Sequence, residues 1–438
     1  MEIAQKVKSW KRAFGLLVAR GKGVCLAVLF FAIAAAPLEA SDYTTGAVGW
    51  LERPHLTGDR TRPRERLKGA GFTVRSRLSQ FIQGIVSGDG EDKFESGGKI
   101  DLQLITDLAK FGLWDGLSFT VKAEHNFGDS LNGFGGTLVP VNTALAFPGI
   151  VGEDAIDITN FYFTQRFGDT GVLLFGKINM IDVASSKRFA GGAGIDSFWN
   201  TTFVAPPSGL VPPYLFGAVV SYKTPSVNYG LWIYDPLDCV NRMCLEAPFS
   251  EGVTIRGSIE FPVMIAGLQG HQGFVALYST YDGTDLTSLD KITTPPFDPA
   301  LLDTKSARYY FAYTFDQYLY RSPMNPDEGV GLFGQFGISD GNPTRLHWSA
   351  HIGLGGTGLI PGRSRDKWGI GYYYSTLSDP LKDAVAPLTT LRDEQGVEAF
   401  YEFAVAPWFS VGTDLQVIRP GAGDTTAVFV GFRSVLEF

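Results

Sequence analysis

"TAVFVGFRSVLEF", residues 426–438, closes the chain on an aromatic, and the alternation of its side chains decides the fold. Val428, Val430, Phe432, Leu436 and Phe438 occupy one set, while Arg433 and Glu437 occupy the other. Successive side chains of a strand point to opposite faces, so one face here is apolar and the other carries charge. Exposing such a row to water costs about 25 cal/mol per Å² of apolar surface, so something must cover it. Phe429 sits on the charged set, either as an aromatic on the polar side or as a sign that the register slips by one there.

The same pattern recurs along the chain. In "SFTVKAEHNF" (118–127), Phe119, Val121, Ala123 and Phe127 oppose Ser118, Thr120, Lys122, Glu124 and Asn126. Two charges on the second face are incompatible with a dry core there. In "VEAFYEFAVAPWFSVGTDLQVI" (397–418), Val397, Ala399, Tyr401, Phe403 and Val405 oppose Glu398 and Glu402. After the turn at Ala406 and Pro407, Phe409, Val411, Thr413, Leu415 and Val417 oppose Asp414 and Gln416. That is a hairpin with one apolar and one acidic face.

Such runs predict about sixteen strands, near 72–86, 99–108, 117–127, 156–167, 171–181, 214–223, 228–235, 252–261, 271–281, 305–318, 328–339, 346–354, 366–376, 396–405, 408–418 and 426–438. Long links follow the third, fifth, seventh, ninth and thirteenth strands, whereas "GDT", "TPSV" and "AP" after the fourth, sixth and fourteenth are tight. An all-β transmembrane antiparallel barrel has this signature: an even number of strands, short periplasmic turns, long extracellular loops, lipid outside and a polar lumen. Closure is required because a sheet edge in lipid would leave backbone groups unpaired. A secreted β-sandwich or β-helix could share the alternation, but it has no reason to alternate long and short links.

Composition agrees. With 53 Gly, 13% aromatic and only 19% charged residues, the 438-residue chain leans towards strands and turns. Its net charge of −8 offers no basic field for nucleic acid, which is excluded as a partner. Lys6, Lys8, Lys11, Arg12, Arg20 and Lys22 precede the apolar run "VCLAVLFFAIAAAP", and "LEA" followed by "SDY" predicts cleavage after Ala40. An uncleaved amphipathic anchor is the alternative for this segment. The chain thus divides into a signal peptide at 1–40, a short periplasmic segment at 41–71 and a barrel at 72–438. No later segment has the roughly 18 consecutive apolar residues of a membrane helix.

Several stretches together resemble the carbohydrate-selective OprB-type porins: "GDRTRPRERLKGAGF", "FGLWDGLSFTVKAEHNFGDSLNG" with "PVNTALAFP", "ITNFYFTQRFGD" with "LLFGKINMID", "GVGLFGQFGISDGNP", "GLGGTGLIPGRSRDKWGIGYYY", and "YEFAVAPWFSVGTDLQVIRPGAG" through Phe438. The resemblance covers most of the chain after residue 40 and implies a sixteen-stranded outer-membrane barrel of a Gram-negative-type bacterium that passes sugars into the periplasm. One departure is that Arg60, Thr61 and Arg62 follow Asp59 where the family usually shows Trp-Gly-Gly. No cofactor and no energy coupling are expected; outer-membrane lipid and sugar solutes are the expected partners, and monomer or homo-oligomer is left open.

A barrel of this size is too wide for its own side chains to fill, so water or infolded loops occupy the lumen. The stretch "DVASSKRFAGGAGIDSFWNTTFVAPPSGLVPP" (182–213) is the candidate infolding loop, mixing Lys187, Arg188 and Asp196 with Phe189, Phe198, Trp199 and Phe203. Sugars suit that mixture, because their C–H faces lie against rings while hydroxyls exchange hydrogen bonds with polar groups. The polar strand faces nominate further pore-lining residues: Lys122, Glu124, Asn160, Arg166, Arg256, Glu260, Arg308, Asp316, Gln335, Glu398, Glu402, Asp414, Gln416 and Arg433, beside Lys187, Arg188 and Trp199 of the loop. Both signs occur, which favours a neutral polar solute over a simple anion or cation filter. For each, a structural ion pair away from the constriction is the competing role. Lys177 lies in "VLLFGKINMI", apolar on both parities, so its facing is not legible.

Cys239 and Cys244 in "CVNRMC" fall in an external link, and an oxidising compartment predicts a disulfide between them. Metal binding is the alternative, although no His lies in that link. His347 and His351 read as girdle or strand residues and not as ligands, so no metal site is assigned. A general small-solute porin is the runner-up function. An outer-membrane enzyme would need a nucleophile beside a base, and no such motif is present.

Overall fold

The computed structural model describes residues 52–58, 63–90, 92–149, 156–207, 210–293, 295, 298–323, 325, 328–358 and 360–438. The signal peptide expected at 1–40 lies outside them. Among the described residues, sixteen antiparallel strands form one closed barrel: β1 Phe72–Ser87, β2 Lys93–Asp107, β3 Leu117–Gly128, β4 Asp157–Phe167, β5 Gly171–Asn179, β6 Tyr214–Lys223, β7 Asn228–Tyr234, β8 Thr254–Ile265, β9 Leu268–Ser279, β10 Arg308–Arg321, β11 Gly329–Ser339, β12 Leu346–Thr357, β13 Lys367–Leu377, β14 Glu394–Ala406, β15 Phe409–Arg419 and β16 Ala427–Glu437. Each strand pairs with its neighbour in sequence, and β1 closes on β16 from Arg77 opposite Glu437 to Ser87 opposite Val428. No barrel strand is left with an unpaired edge, as a wall in lipid demands.

The outer surface is what alternation predicts. Ile82, Leu102, Phe163, Leu231, Phe274, Phe311, Ile352, Val397, Leu415 and Phe432 all project outward and are exposed. Phe111, Trp114 and Phe167 add exposed rings close to the tight-turn end. A continuous apolar band of this kind is a liability in water and an asset in a bilayer, with its aromatics suited to the interface. At the same end, the amide of Leu56 donates to the Glu437 carbonyl at 3.0 Å, tying the segment before β1 to the last strand.

Four boundaries depart from the sequence reading for local reasons. The fifth strand stops at Asn179 instead of reaching 181, because the Asn179 side chain accepts from the amides of Ile181 and Asp182 and caps the short helix Met180–Ala184. β8 and β9 run further towards each other than 261 and 271, meeting at a two-residue turn whose Ala266 and Gly267 have φ of 52° and 78°. Such turns match the twist of a hairpin, and Ala tolerates the geometry only at a cost. β2 begins at Lys93 and not at 99, its first residues pairing with Gln83, Gly84 and Ile85 of β1. A small ribbon, Gly283–Thr284 with Thr304–Lys305, also forms in the link between β9 and β10.

The terminal strand keeps its register. Val428, Val430 and Phe432 face outward, while Ala427, Phe429, Arg433 and Val435 face inward and are buried. Phe429 neither lines an open pore nor marks a slip. It packs with Ile85, Leu131, Val141, Ile418 and Ala427 beneath the loop that follows β3.

Candidate solute passage

The long segment between β5 and β6 folds into the barrel, and its own sequence explains its shape. Asn179 caps its first helix, and Asn200 caps a second, Thr201–Val204, by accepting from the amide of Thr202 at 2.9 Å. Phe198 and Phe203 stack at 4.6 Å between centroids and meet Phe333, Tyr373 and Phe400 from the wall. Trp199 packs edge-on against Phe81 at 5.2 Å. Phe189 rests on Gly331, where even a Cβ would collide with its ring. Glycine is required there by close approach.

Polar side chains of the wall then fasten this loop. Glu398 accepts from the amides of Trp199 at 2.5 Å and Asn200 at 3.1 Å. Arg433 donates to Glu402 at 2.5 Å and to the loop carbonyls of Gly194 and Ser197 at 3.2 and 3.1 Å, with its guanidinium 5.3 Å from the centre of the Trp199 ring. Asn200 donates to Gln416, which in turn donates to the Val141 carbonyl and to Asp414, both at 2.8 Å. At the start of the loop, Asp182 accepts from Lys122 at 2.8 Å and from Asn160 at 2.8 Å, and Glu124 pairs with Lys122 at 2.5 Å and Lys99 at 3.2 Å. A buried charge with a partner removed is strongly destabilising, so these pairs fix the loop in one place.

Nine nominated pore-lining residues are therefore corrected. Lys122, Glu124, Asn160, Glu398, Glu402, Asp414, Gln416 and Arg433 point inward as read but are buried under the infolded loop, and Trp199, on the loop itself, is buried against Phe81 of the wall. A solute does not reach them in this structure. Arg166 is exposed at the end of β4, outside the walls of the cavity. Arg308 also lies outside it, at the opposite end of the barrel, with its guanidinium 4.7 Å from the Tyr281 ring and 3.4 Å from the Asp282 carbonyl. Lys177 is buried, held by Asp157 at 2.9 Å and the Arg242 carbonyl at 2.7 Å beneath the loop closed by the Cys239–Cys244 disulfide. The disulfide follows the sequence reading, with a Cα–Cα distance of 5.8 Å.

What the loop leaves open is a cavity of about 830 Å³ between its 180–190, 205–206 and 211–213 stretches and the inner wall of β6–β12. Lys187, Arg188, Arg256, Glu260, Asp316 and Gln335, all nominated from sequence, line it. So do Trp232, His271 and Tyr310, which were missed. Trp232 lies in "NYGLWIY", apolar on both parities, and its inward facing had no sequence signal. Arg256 stacks on the Trp232 ring at 3.9 Å, Gln335 donates to the Tyr310 hydroxyl at 2.9 Å, and Asp316 lies 3.0 Å from His271 and 3.4 Å from Arg188. The cavity extends to Asp169, Lys223 and Asn228 at the tight turns, which face the periplasm in such a barrel. His351 is a strand residue, as read, and contributes to the wall beside Phe203 and Phe333.

A closed barrel with an apolar outside, a loop folded across its lumen and a polar and aromatic cavity running to one mouth defines an outer-membrane diffusion channel. The family described as "Carbohydrate-selective porin, OprB family" matches residues 92–438, and the chain belongs to it. It is an outer-membrane protein of a Gram-negative-type bacterium and passes sugars. A protein described as the porin QuiX, of Acinetobacter baylyi, is 23% identical over 421 residues, spanning 85% of this chain and 90% of that protein. Among solved structures, the high-pH form of Pseudomonas putida OprB aligns with a TM-score of 0.77 at 19% identity, covering 90% of this chain and all of that one. The low-pH form aligns at 0.54 and 15% identity, with coverages of 88% and 99%.

Proposed function

We propose that sugar crosses the barrel by passive diffusion along the side lined by β6–β12, between the infolded loop and the wall. The observation that carries this reading is the cavity of about 830 Å³, in which rings and hydrogen-bonding groups face one another. That volume lies within the roughly 300–1,000 Å³ of small-molecule sites. The indole of Trp232 offers an apolar face to sugar C–H groups, while Gln335, Glu260 and Asp316 offer amide and carboxylate partners for hydroxyls. Each contact replaces water that the sugar loses on entry. Contacts must stay weak, because a channel that binds tightly does not release its solute.

The channel performs no catalysis in this reading and needs neither cofactor nor energy coupling. A general small-solute porin is the second reading, and the mixture of Arg188, Arg256, Glu260 and Asp316 around the cavity is what favours it. Titrating glucose into a single channel carrying potassium chloride separates the two. The sugar reading predicts a saturable fall in ion current at millimolar glucose. Current that falls only in proportion to solution viscosity would leave the general porin.

A further inference from the structure

The charges around the cavity do not balance locally. Asp316 is engaged by Arg188 at 3.4 Å and by His271 at 3.0 Å. Glu260 accepts from Asn228 at 2.9 Å and lies four residues from Arg256 on β8, a strand distance of about 13 Å. Asp169 and Lys223 are exposed at the tight-turn mouth of the cavity. Deeper in, two cations have no anion partner among the described residues. Arg256 is half-buried, makes no hydrogen bond or ion pair among the described residues, and has one face covered by Trp232. Lys187, among the described residues, donates only to the Val204 carbonyl, at 2.9 Å, and lines the same cavity as Arg256.

We propose that Arg256, with Trp232 beneath it and Lys187 on the same cavity, forms a carboxylate subsite, and that the preferred solutes of this channel are sugar acids: polyhydroxylated molecules bearing one carboxylate. The proposal deepens the sugar-channel reading and rests on it. A guanidinium presents parallel N–H donors that match the two oxygens of a carboxylate, and a carboxylate also supplies the anion that Arg256 lacks. A neutral sugar can use the donors but leaves the charge of Arg256 without a counter-charge. The Trp232 ring restricts the guanidinium and keeps water from one of its faces, which strengthens a charge contact relative to one in open solution. The polyhydroxylated remainder of the solute then meets Gln335 and the Tyr310 hydroxyl, already joined to each other at 2.9 Å.

The test is current block of single channels in potassium chloride by gluconate and, separately, by glucose, on wild type, Arg256→Gln and Arg256→Lys. The proposal expects half-block by gluconate at about a fivefold lower concentration than by glucose, the scale of one partly screened charge pair. Arg256→Gln removes that difference, and Arg256→Lys keeps most of it. Because Arg256 holds no structural hydrogen bond, folding of the variants is checked by the shift in electrophoretic mobility of the unheated barrel. Equal block by gluconate and glucose in wild type overturns the subsite and leaves the sugar route standing, as does a gluconate preference that survives Arg256→Gln. Absence of block by either solute overturns the sugar route and the subsite together.

Discussion

The two halves of the lumen are built from the same strand pattern and do opposite things. Along β13–β16 and β1–β5, inward charges such as Glu398, Glu402, Arg433 and Lys122 are covered by the loop and hold it. Along β6–β12, Arg256, Glu260, Asp316 and Gln335 face a cavity. Alternation decides which side of the wall a residue occupies, and the loop decides whether water ever meets it. A polar residue on the inner face of a wide barrel is thus as much a fastening as a filter.

The sharpest way to break this contrast is to unfasten the closed half. Arg433→Ala strands Glu402 in a buried site, a change expected to cost about 3–5 kcal/mol. The loop should leave the wall, raising single-channel conductance severalfold and abolishing sugar block. Phe198→Ala removes a ring from the cluster with Phe203, Phe333 and Phe400, at about 3–5 kcal/mol before the site relaxes. It should lower the thermal transition of the loop, seen as protease nicking of the folded barrel, with a smaller rise in conductance than Arg433→Ala. On the open side, Trp232→Ala should leave the transition unchanged and weaken glucose block by about three- to tenfold, the loss of one aromatic face. The smallest effect is expected from Cys239→Ser with Cys244→Ser: conductance within about 20%, with faster proteolysis of the 235–253 loop, because the disulfide closes only a short external segment.

Much of the barrel was legible because lipid on one side and polar groups on the other impose a strict period of two. The end of β5 was not, because "INMID" is apolar on both parities and only the capping side chain of Asn179 ends the strand. The inward facing of Trp232, Lys177 and Phe429 was hidden or ambiguous for a related reason, since sequence alternation weighs polarity and not what a loop later places against the residue. Lys187, Arg188, Arg256, Glu260, Asp316 and Gln335 were read as lining a passage and do line the cavity. The nine buried residues were indistinguishable from them, because a loop that reaches across from residue 180 to β14 and β16 is a long-range contact with no local signature.

Cysteine accessibility tests the division of the lumen most directly. Ser79 of β1 is buried on the inner wall of the closed half, and Ser258 of β8 lies on the wall of the cavity. The account predicts that a water-soluble, charged methanethiosulfonate reagent lowers the current of Ser258→Cys channels in discrete steps and reduces their glucose block, while Ser79→Cys channels carry unchanged current. Modification of Ser79→Cys as fast as Ser258→Cys, with an equal loss of current, would contradict it.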